Sequence, residues 1–414
     1  MRLLLLPAYF YPESVSDTPL DDARYQAFAD AGIEMSLFTP VPTRNVDNAD
    51  KRKYSQLREE VMYDGMMHVH RFSMMEEGKN PVGRAFRYFW CAIKQLWYGL
   101  KEKDVDLVFI ISTPPIQGLI GALLKKVKHI PFVYNLQDIF PESLVGTGLA
   151  KKGGLFWKIG RIIENYTYRN ADKIIVISED FKHNIMAKGV PEEKIEVVYN
   201  WVDEKSIVDI QREDNILFER YELDRNCFYL TYNGNIGLTQ NIDMLLDVAK
   251  ELECYEDIQF ILVGEGVYKE KVKQIVQEKQ IKNIKLLPFQ PYEEISHVFS
   301  LGDVSLVISK PEVGANSVPS KTWGIMSASR PVLASFDENE LKDIIEKNNC
   351  GVFTKAGDKE AFKEALLQLY YNRDLCKRLG KNGRRFVMEN LTKDVGTQKY
   401  VEILNSSSLN PIEI

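Results

Sequence analysis

Cysteine and histidine are scarce in this 414-residue chain, and neither clusters. The five cysteines, Cys91, Cys227, Cys254, Cys350 and Cys376, include no C-x-x-C pair. That excludes a cysteine-rich zinc site and a disulfide scaffold. An odd set of scattered thiols fits a reducing cytoplasm. The five histidines, His68, His70, His129, His183 and His297, lack metal-ligand spacing, so no protein-bound metal or cofactor is expected. No apolar stretch approaches the roughly 18 residues of a membrane span, so any membrane role is expected to be peripheral. The opening "MRLLLLPAYFYPE" has only Leu3–Leu6 before Pro7, too short a run for a secretory leader. It reads as a buried first strand. An excess of positive charge is also missing: the net charge is −6, and nothing global points to nucleic acid. No G-x-G-x-x-G follows the first strand, which argues against a Rossmann dehydrogenase.

What the chain does have is a regular alternation of short apolar runs and helical patterns. The runs in the first half are Arg2–Pro7, Ile33–Thr39, Asp106–Ser112, Pro131–Asn135, Lys173–Ser178 and Ile195–Tyr199. Those in the second half are Tyr229–Tyr232, Gln259–Gly264, Ile284–Leu287, Val304–Ile308, Pro331–Ser335 and Gly351–Thr354. Runs that are continuously apolar belong to sheets buried on both faces. Strands that alternate with helices build parallel α/β sheets. The series occurs twice, so we expect an α/β protein of two doubly wound Rossmann-like domains. The polar stretch after "VVYNWV" places the boundary near Val202, giving domains 1–202 and 203–391. A helical segment at about 392–412 follows.

Ligands of open α/β sheets bind beyond the carboxyl ends of the strands, so residues just after strands are the candidates. "YNGNIGLTQN" puts Gly234, Asn235 and Gly237 at a strand-to-helix turn that offers backbone N–H groups to a phosphate, or is simply a tight turn. Glu265, between Gly264 and Gly266, has the place of a ribose-binding acid or of a helix N-terminal charge. Phe289 in "LLPFQP" borders a nucleobase or fills the core. In "NSVPSKTWG", Ser320 has the position of a helix cap, with Lys321 and Thr322 following it. A lysine is unfavourable where a helix begins. A diphosphate between this segment and the glycine turn accounts for Lys321; a solvated lysine is the competing account.

In the first half, "YNLQDIFPES" gathers Gln137, Asp138 and Glu142 after a strand. A carboxylate there positions or deprotonates an acceptor hydroxyl, or caps a helix. Two segments, 83–103 and 151–169, mix Arg and Lys with Trp, Phe, Tyr and Ile at helical spacing. One face of each suits packing on a sheet, and the basic, aromatic remainder suits an anionic membrane surface.

Taken together, "YFYPES", "YNLQDIFPES", "ADKIIVIS", "KIEVVYNWVD", "YNGNIGLTQNIDMLL", "FILVGEG", "LLPFQPYEEI" and "SVPSKTWGIMSASRPVLAS" resemble, in order and spacing, the retaining glycosyltransferases of family four. The likeness runs along nearly the whole chain and points to a subgroup that builds bacterial capsule or O-antigen polysaccharides. It implies the GT-B architecture, with a sugar nucleotide in the C-terminal domain and an acceptor on the N-terminal one. It also implies metal-independent transfer and a last helix that crosses back to the first domain. Ser16 and Asp17 lie near the family's first acceptor-side loop, whose usual glycine pair is absent. Implied partners are a UDP-sugar, a lipid-diphosphate-linked or glycan acceptor, and the inner face of the cytoplasmic membrane. The implied enzyme is a hexosyl- or N-acetylhexosaminyltransferase.

The chain also departs from the family. Asn235 and Gln240 stand where many members carry the Arg and Lys that hold the donor diphosphate. Asn316 and Gly324 stand where many carry two glutamates seven residues apart. Either the grip has moved to Lys321, Ser320 and Glu265, with donor contacts from Asn235, Gly237, Phe289, Asn316 and Thr322, or the chain is a non-catalytic GT-B scaffold. Relocation gives Lys321 and Asp138 the catalytic parts. An epimerase on the same fold needs acid and base groups flanking the sugar, and no suitable cluster is visible.

Overall fold

The computed structural model describes residues 1–13, 18–78, 80–142, 151–313 and 318–410. The chain divides into two compact units, Met1–Tyr199 with Gly396–Ile414, and Asn200–Val395.

The first unit is built on eight strands: β1 (Arg2–Leu5), β2 (Glu34–Pro40), β3 (Glu59–Met62), β4 (Met67–Phe72), β5 (Leu107–Ile111), β6 (Phe132–Leu136), β7 (Lys173–Val176) and β8 (Ile195–Val197). Their order in the sheet is β3-β4-β2-β1-β5-β6-β7-β8, parallel except for the β3–β4 pair. Strands β1, β5, β6 and β7 are almost wholly buried, as their unbroken apolar runs require. The β3–β4 ribbon escapes the sequence reading because it alternates: in β4 His68 faces out between buried Met67 and Val69. Half-polar alternation is the signature of an edge with one solvated face.

The second unit has a six-stranded, all-parallel sheet: β9 (Phe228–Asn233), β10 (Ile258–Val263), β11 (Ile284–Leu287), β12 (Val304–Ile308), β13 (Val332–Phe336) and β14 (Gly351–Lys355). Their order is β11-β10-β9-β12-β13-β14. Every residue of β9, β12 and β13 is buried. Two hydroxyls inside this layer, Thr231 and Ser305, satisfy each other at 2.9 Å across paired strands. Chain order reverses between β9 and β12, which makes their carboxyl ends the sheet's topological switch point.

The segment Gly396–Ile414 belongs to the first unit, and Tyr400 anchors it there. Tyr400 is fully buried, its hydroxyl donates to Asn135 Oδ1 at 3.1 Å, and its ring lies 4.6 Å from the Arg24 guanidinium. Arg24 is itself buried and paired with Asp21 at 2.6 Å. The stack places a cation on a π face inside a dry core, where such contacts are strongest.

Two helices of the first unit each leave an apolar stripe uncovered. Pro81–Lys101 buries Cys91, Ala92, Gln95 and Gly99 but exposes Phe86, Phe89, Trp90, Ile93, Trp97 and Leu100. Leu155–Asn170 buries Gly160, Glu164, Thr167 and Tyr168 but exposes Leu155, Phe156, Ile159 and Ile162. Among the described residues, no helix is long and apolar enough to cross a membrane.

Tyr400→Ala should cost about 3 kcal/mol or more through the cavity it opens, and Tyr400→Phe about 1 kcal/mol for the lost hydrogen bond. Urea unfolding of both variants checks the order; equal midpoints for the two would remove the ring's anchoring role.

Candidate active site

At the carboxyl end of β9 the chain turns at Gly234, and at the end of β10 it turns at Gly264. The two turns touch backbone to backbone. Gly264 has φ +153°, and a Cβ there would lie 1.9 Å from the Gly234 carbonyl oxygen. Only glycine allows both the angle and the approach. The turns are then laced by Gly234 N–H to Val263 O (2.9 Å), Ile236 N–H to Glu265 O (2.8 Å) and Tyr268 N–H to Ile236 O (3.0 Å). Lys310 N–H to Thr239 O (2.8 Å) ties in the segment after β12.

This lacing corrects one expectation. The N–H groups of Asn235–Gly237 are not all open to a phosphate: Ile236 donates to Glu265, and Gly237 donates to Gln240 Oε1 at 3.1 Å. The loop needs its own amides to hold its shape. Gln240, at a place where family members have a cation, is that internal acceptor. Asn235 is exposed.

A second correction concerns Ser320. It precedes the seven-residue helix Lys321–Ser327 but makes no side-chain cap hydrogen bond. Its backbone is already in the right-handed helical region (φ −57°, ψ −28°), whereas a capping hydroxyl needs extended geometry to reach the next amides. The first turn closes through Thr322 N–H to Pro319 O and Trp323 N–H to Ser320 O instead.

Lys321 itself lies over Tyr232 of β9, with Nζ 3.9 Å from the ring centroid. Its Cδ stands 4.0 Å from where a Cβ on Gly234 would be. No carboxylate among the described residues pairs with it. The residue as a whole is only partly buried, yet burial around the ammonium pushes its pKa down to about 7. Tyr232 is fixed in turn, its hydroxyl donating to Asn235 O at 2.7 Å.

Near this lysine three further polar side chains await partners. Asn233 (both amide atoms), Ser309 and Thr322 are buried and make no hydrogen bond. Asn233 ends β9, Ser309 follows β12, and Thr322 follows Lys321. Buried polar atoms are nearly always satisfied, so such a group at a switch point marks a place for a ligand or ordered water. Sequence reasoning singled out Thr322 and missed Asn233 and Ser309, which read as the polar tails of apolar strands.

Glu265 is exposed and accepts from Lys269 Nζ at 2.6 Å. That bond holds its carboxyl below the usual range. Lys269, buried and also donating to Gly264 O at 2.8 Å, thereby fixes the carboxylate at the turn. Phe289 is 70% exposed, so it is displayed and not part of the core. Its loop is held by buried Gln290, which donates to Pro288 O (2.7 Å) and Tyr221 Oη (2.8 Å).

Gly324 explains one missing family glutamate. A Cβ there would sit 2.6 Å from the ring of Phe299, so a side chain has no room. Asn316, Ser16 and Asp17 lie outside the described residues.

In the first unit, Asp138 is exposed just past β6. Gln137 is fixed by N–H to Ser112 Oγ (3.0 Å) and Nε2 to Asn135 Oδ1 (2.9 Å). Glu142 is a third correction. Its carboxylate is taken by Arg161 and Lys188, which also hold Glu164. A partly buried carboxylate stays ionised by such pairing, which leaves it structural and not open to an acceptor. Among the described residues, no group of three or more His, Cys, Asp or Glu gathers as a metal site would.

The model of Glycosyltransferase Family 4 matches residues 25–206, and that of Glycosyl transferases group 1 matches residues 214–386. The chain belongs to glycosyltransferase family 4. It is similar to WbjE of Pseudomonas aeruginosa, described as a probable glycosyltransferase, with 26% identity over 71% of this chain and 73% of that one. WcaI of Escherichia coli K12, a glycosyl transferase named for colanic acid biosynthesis, is 27% identical over 54% of this chain and 56% of that one. The solved structure of Anabaena Alr3699/HepE in complex with UDP superposes with a TM-score of 0.70 at 17% identity, covering 98% of this chain and 100% of that one. This family 4 protein thus has two Rossmann-like domains of the GT-B fold and is a glycosyltransferase enzyme. A non-catalytic scaffold is not favoured.

Restoring the family residue by Gly324→Glu should not improve donor handling. It drives a carboxylate into the Phe299 ring and should cost about 3 kcal/mol by overpacking and charge burial. A folded variant with raised turnover, seen by urea unfolding and activity together, would contradict this packing argument.

Proposed function

We propose that this enzyme moves a hexosyl or N-acetylhexosaminyl group, with retention, from a UDP-sugar to a lipid-diphosphate-linked or glycan acceptor. The setting is bacterial surface polysaccharide synthesis, capsule or O-antigen, at the inner face of the cytoplasmic membrane. The observation that carries the donor site is Lys321: a cation without a carboxylate, over Tyr232 and beside Gly234, at the switch point of the second sheet. UDP as the carrier is supported by HepE, solved with UDP. Polysaccharide synthesis is supported by the naming of WcaI.

In this reading the diphosphate lies against Lys321, with Thr322, Ser309 and Asn233 as unspent donors nearby. Glu265 takes the ribose and Phe289 borders the base. As the C1–O bond to the diphosphate breaks, negative charge grows on the leaving oxygen and the sugar becomes oxocarbenium-like. Lys321 stabilises that charge, the largest single lever in such reactions. The acceptor oxygen bonds to C1 on the same face, and its proton passes to the departing phosphate. Asp138 orients the acceptor hydroxyl. The reading draws its electrostatic stabilisation from side chains. The exposed stripes at 83–103 and 151–169, flanked by Lys94, Lys101, Lys152 and Lys158, suit a bilayer interface.

The pKa of Lys321 sets a pH signature. The ordinary lysine value is 10.5, and in the empty fold it is about 7. Between those values the unfolded chain binds more protons than the folded one. This group's contribution to stability therefore rises with pH across that window, and its burial cost is full below pH 7. A bound diphosphate reverses the shift, so binding above pH 7 takes up a proton.

Two measurements test the proposal. A thermal-shift panel of UDP-, GDP- and dTDP-sugars should single out a UDP-sugar; no shift from any donor sinks the donor site. Lys321→Met should cut kcat/KM about 10²- to 10³-fold, as removal of one oxyanion donor does. It should also abolish calorimetric proton uptake on UDP binding at pH 8, without lowering Tm. Near-normal turnover would remove Lys321 from the mechanism.

A further inference from the structure

We infer that the first unit carries a built site for the diphosphate of a lipid-linked acceptor, formed by Arg44, Arg84 and Arg87 around Tyr9. This deepens, and rests on, the lipid-linked acceptor proposed above. The site stands at the carboxyl ends of three neighbouring strands, in the order β4-β2-β1. Tyr9 follows β1, Arg44 follows β2, Glu77 follows β4, and the helix Pro81–Lys101 supplies Arg84, Arg87 and Tyr88.

Two guanidiniums flank one ring. Arg87 Cζ lies 5.4 Å and Arg44 Cζ 5.5 Å from the Tyr9 centroid. The Tyr9 hydroxyl is held by Glu77 at 2.6 Å and Tyr88 at 2.8 Å, so the platform is fixed. Arg84 Nε is 2.9 Å and Arg87 Nη1 3.9 Å from the same Glu77 carboxylate. Arg87 is wholly buried, with Nε bound to Met75 O (3.2 Å) and Nη2 to Thr43 Oγ1 (3.2 Å). Its Nη1 is buried and makes no hydrogen bond. Arg44 and Arg84 are only partly buried and stand at the open side.

The charges do not balance. Glu77 serves two arginines. Glu13, the other carboxylate, accepts from the Thr43 and Arg44 amides at 2.7 and 2.9 Å, and burial raises its pKa, so it is a weak counter-ion. Arg44 pairs with no carboxylate among the described residues. A buried guanidinium with an idle N–H, beside a second without a counter-charge, calls for an anion with several acceptor oxygens. Guanidiniums match phosphate oxygens two at a time.

The rest of the helix says what carries that anion. Phe86 and Phe89 sit between and just after these arginines, and Trp90, Ile93, Trp97 and Leu100 continue the exposed stripe. At 1.5 Å per residue, head-group cations and apolar contact surface lie within the same two turns. A soluble glycan needs no such stripe, and an extended nucleic acid is poorly suited to a chain of net charge −6. A prenyl-type chain bearing a diphosphate uses both.

The probe is farnesyl diphosphate in phosphatidylcholine vesicles, with farnesol-doped and phosphatidylglycerol vesicles alongside. Arg87→Gln risks the fold, so Arg44→Gln and Arg84→Gln are used, with melting curves as control. The wild-type chain should cosediment about tenfold better with the diphosphate vesicles than with the farnesol vesicles. Each variant should lose that increment, keep its farnesol-vesicle binding, and bind UDP as the wild type does. Equal capture by farnesol and diphosphate vesicles, or unchanged capture by the variants, overturns the site. Equally strong capture by phosphatidylglycerol, or full competition by inorganic pyrophosphate, overturns the lipid-diphosphate assignment. Failure of the wild type to bind UDP sinks the donor reading and leaves the vesicle comparison intact.

Discussion

The contact between Gly264 and the Gly234 carbonyl governs the second unit. Two strand-end turns can share one volume only because neither residue carries a side chain there. Once they interleave, β9 and β10 end level, Val263 opposite Asn233, and the turn amides are spent on each other. The site therefore cannot rely on a row of open backbone donors. It must meet anionic charge with side chains, and Lys321 is the cation that the turn admits to its flank. Glu265 and Lys269 follow from the same packing, since the second turn brings the carboxylate out and the buried lysine fixes it.

Much of this architecture was legible in the sequence, for a plain reason. Parallel strands buried on both faces are written as continuous apolar runs, and β1, β5, β9, β10, β12 and β13 all are. The β3–β4 ribbon was not legible, because its alternation with histidine and glutamate resembles an irregular polar segment. At the sites, residue types were easier to read than their bonding. Glu142 looked like an acceptor-side acid, but Arg161 and Lys188 lie elsewhere in the sequence and reach it only through the fold. Ser320 looked like a cap, but capping depends on a backbone angle that residue identity does not set. Asn233 and Ser309 gave no signal, since their lack of partners is a property of three-dimensional surroundings.

The two units show two ways of keeping a cation ready for phosphate. In the second, Lys321 is isolated and desolvated, so its charge is adjustable. In the first, Arg44, Arg84 and Arg87 share too few carboxylates and keep their charge whatever their burial, as guanidiniums do. The choice of residue suits the task. A ligand that must leave as product is met by a group whose proton can come and go. A head group that must be held at a surface is met by groups that cannot be switched off.

The depressed pKa of Lys321 has one more consequence. An amine that titrates near 7 is a free-base nucleophile in a large share of empty molecules at neutral pH. Ordinary surface lysines, protonated at that pH, are not. The vacant enzyme therefore carries one unusually reactive nitrogen, open to acylation or carbamylation. The diphosphate that protonates it also makes it inert.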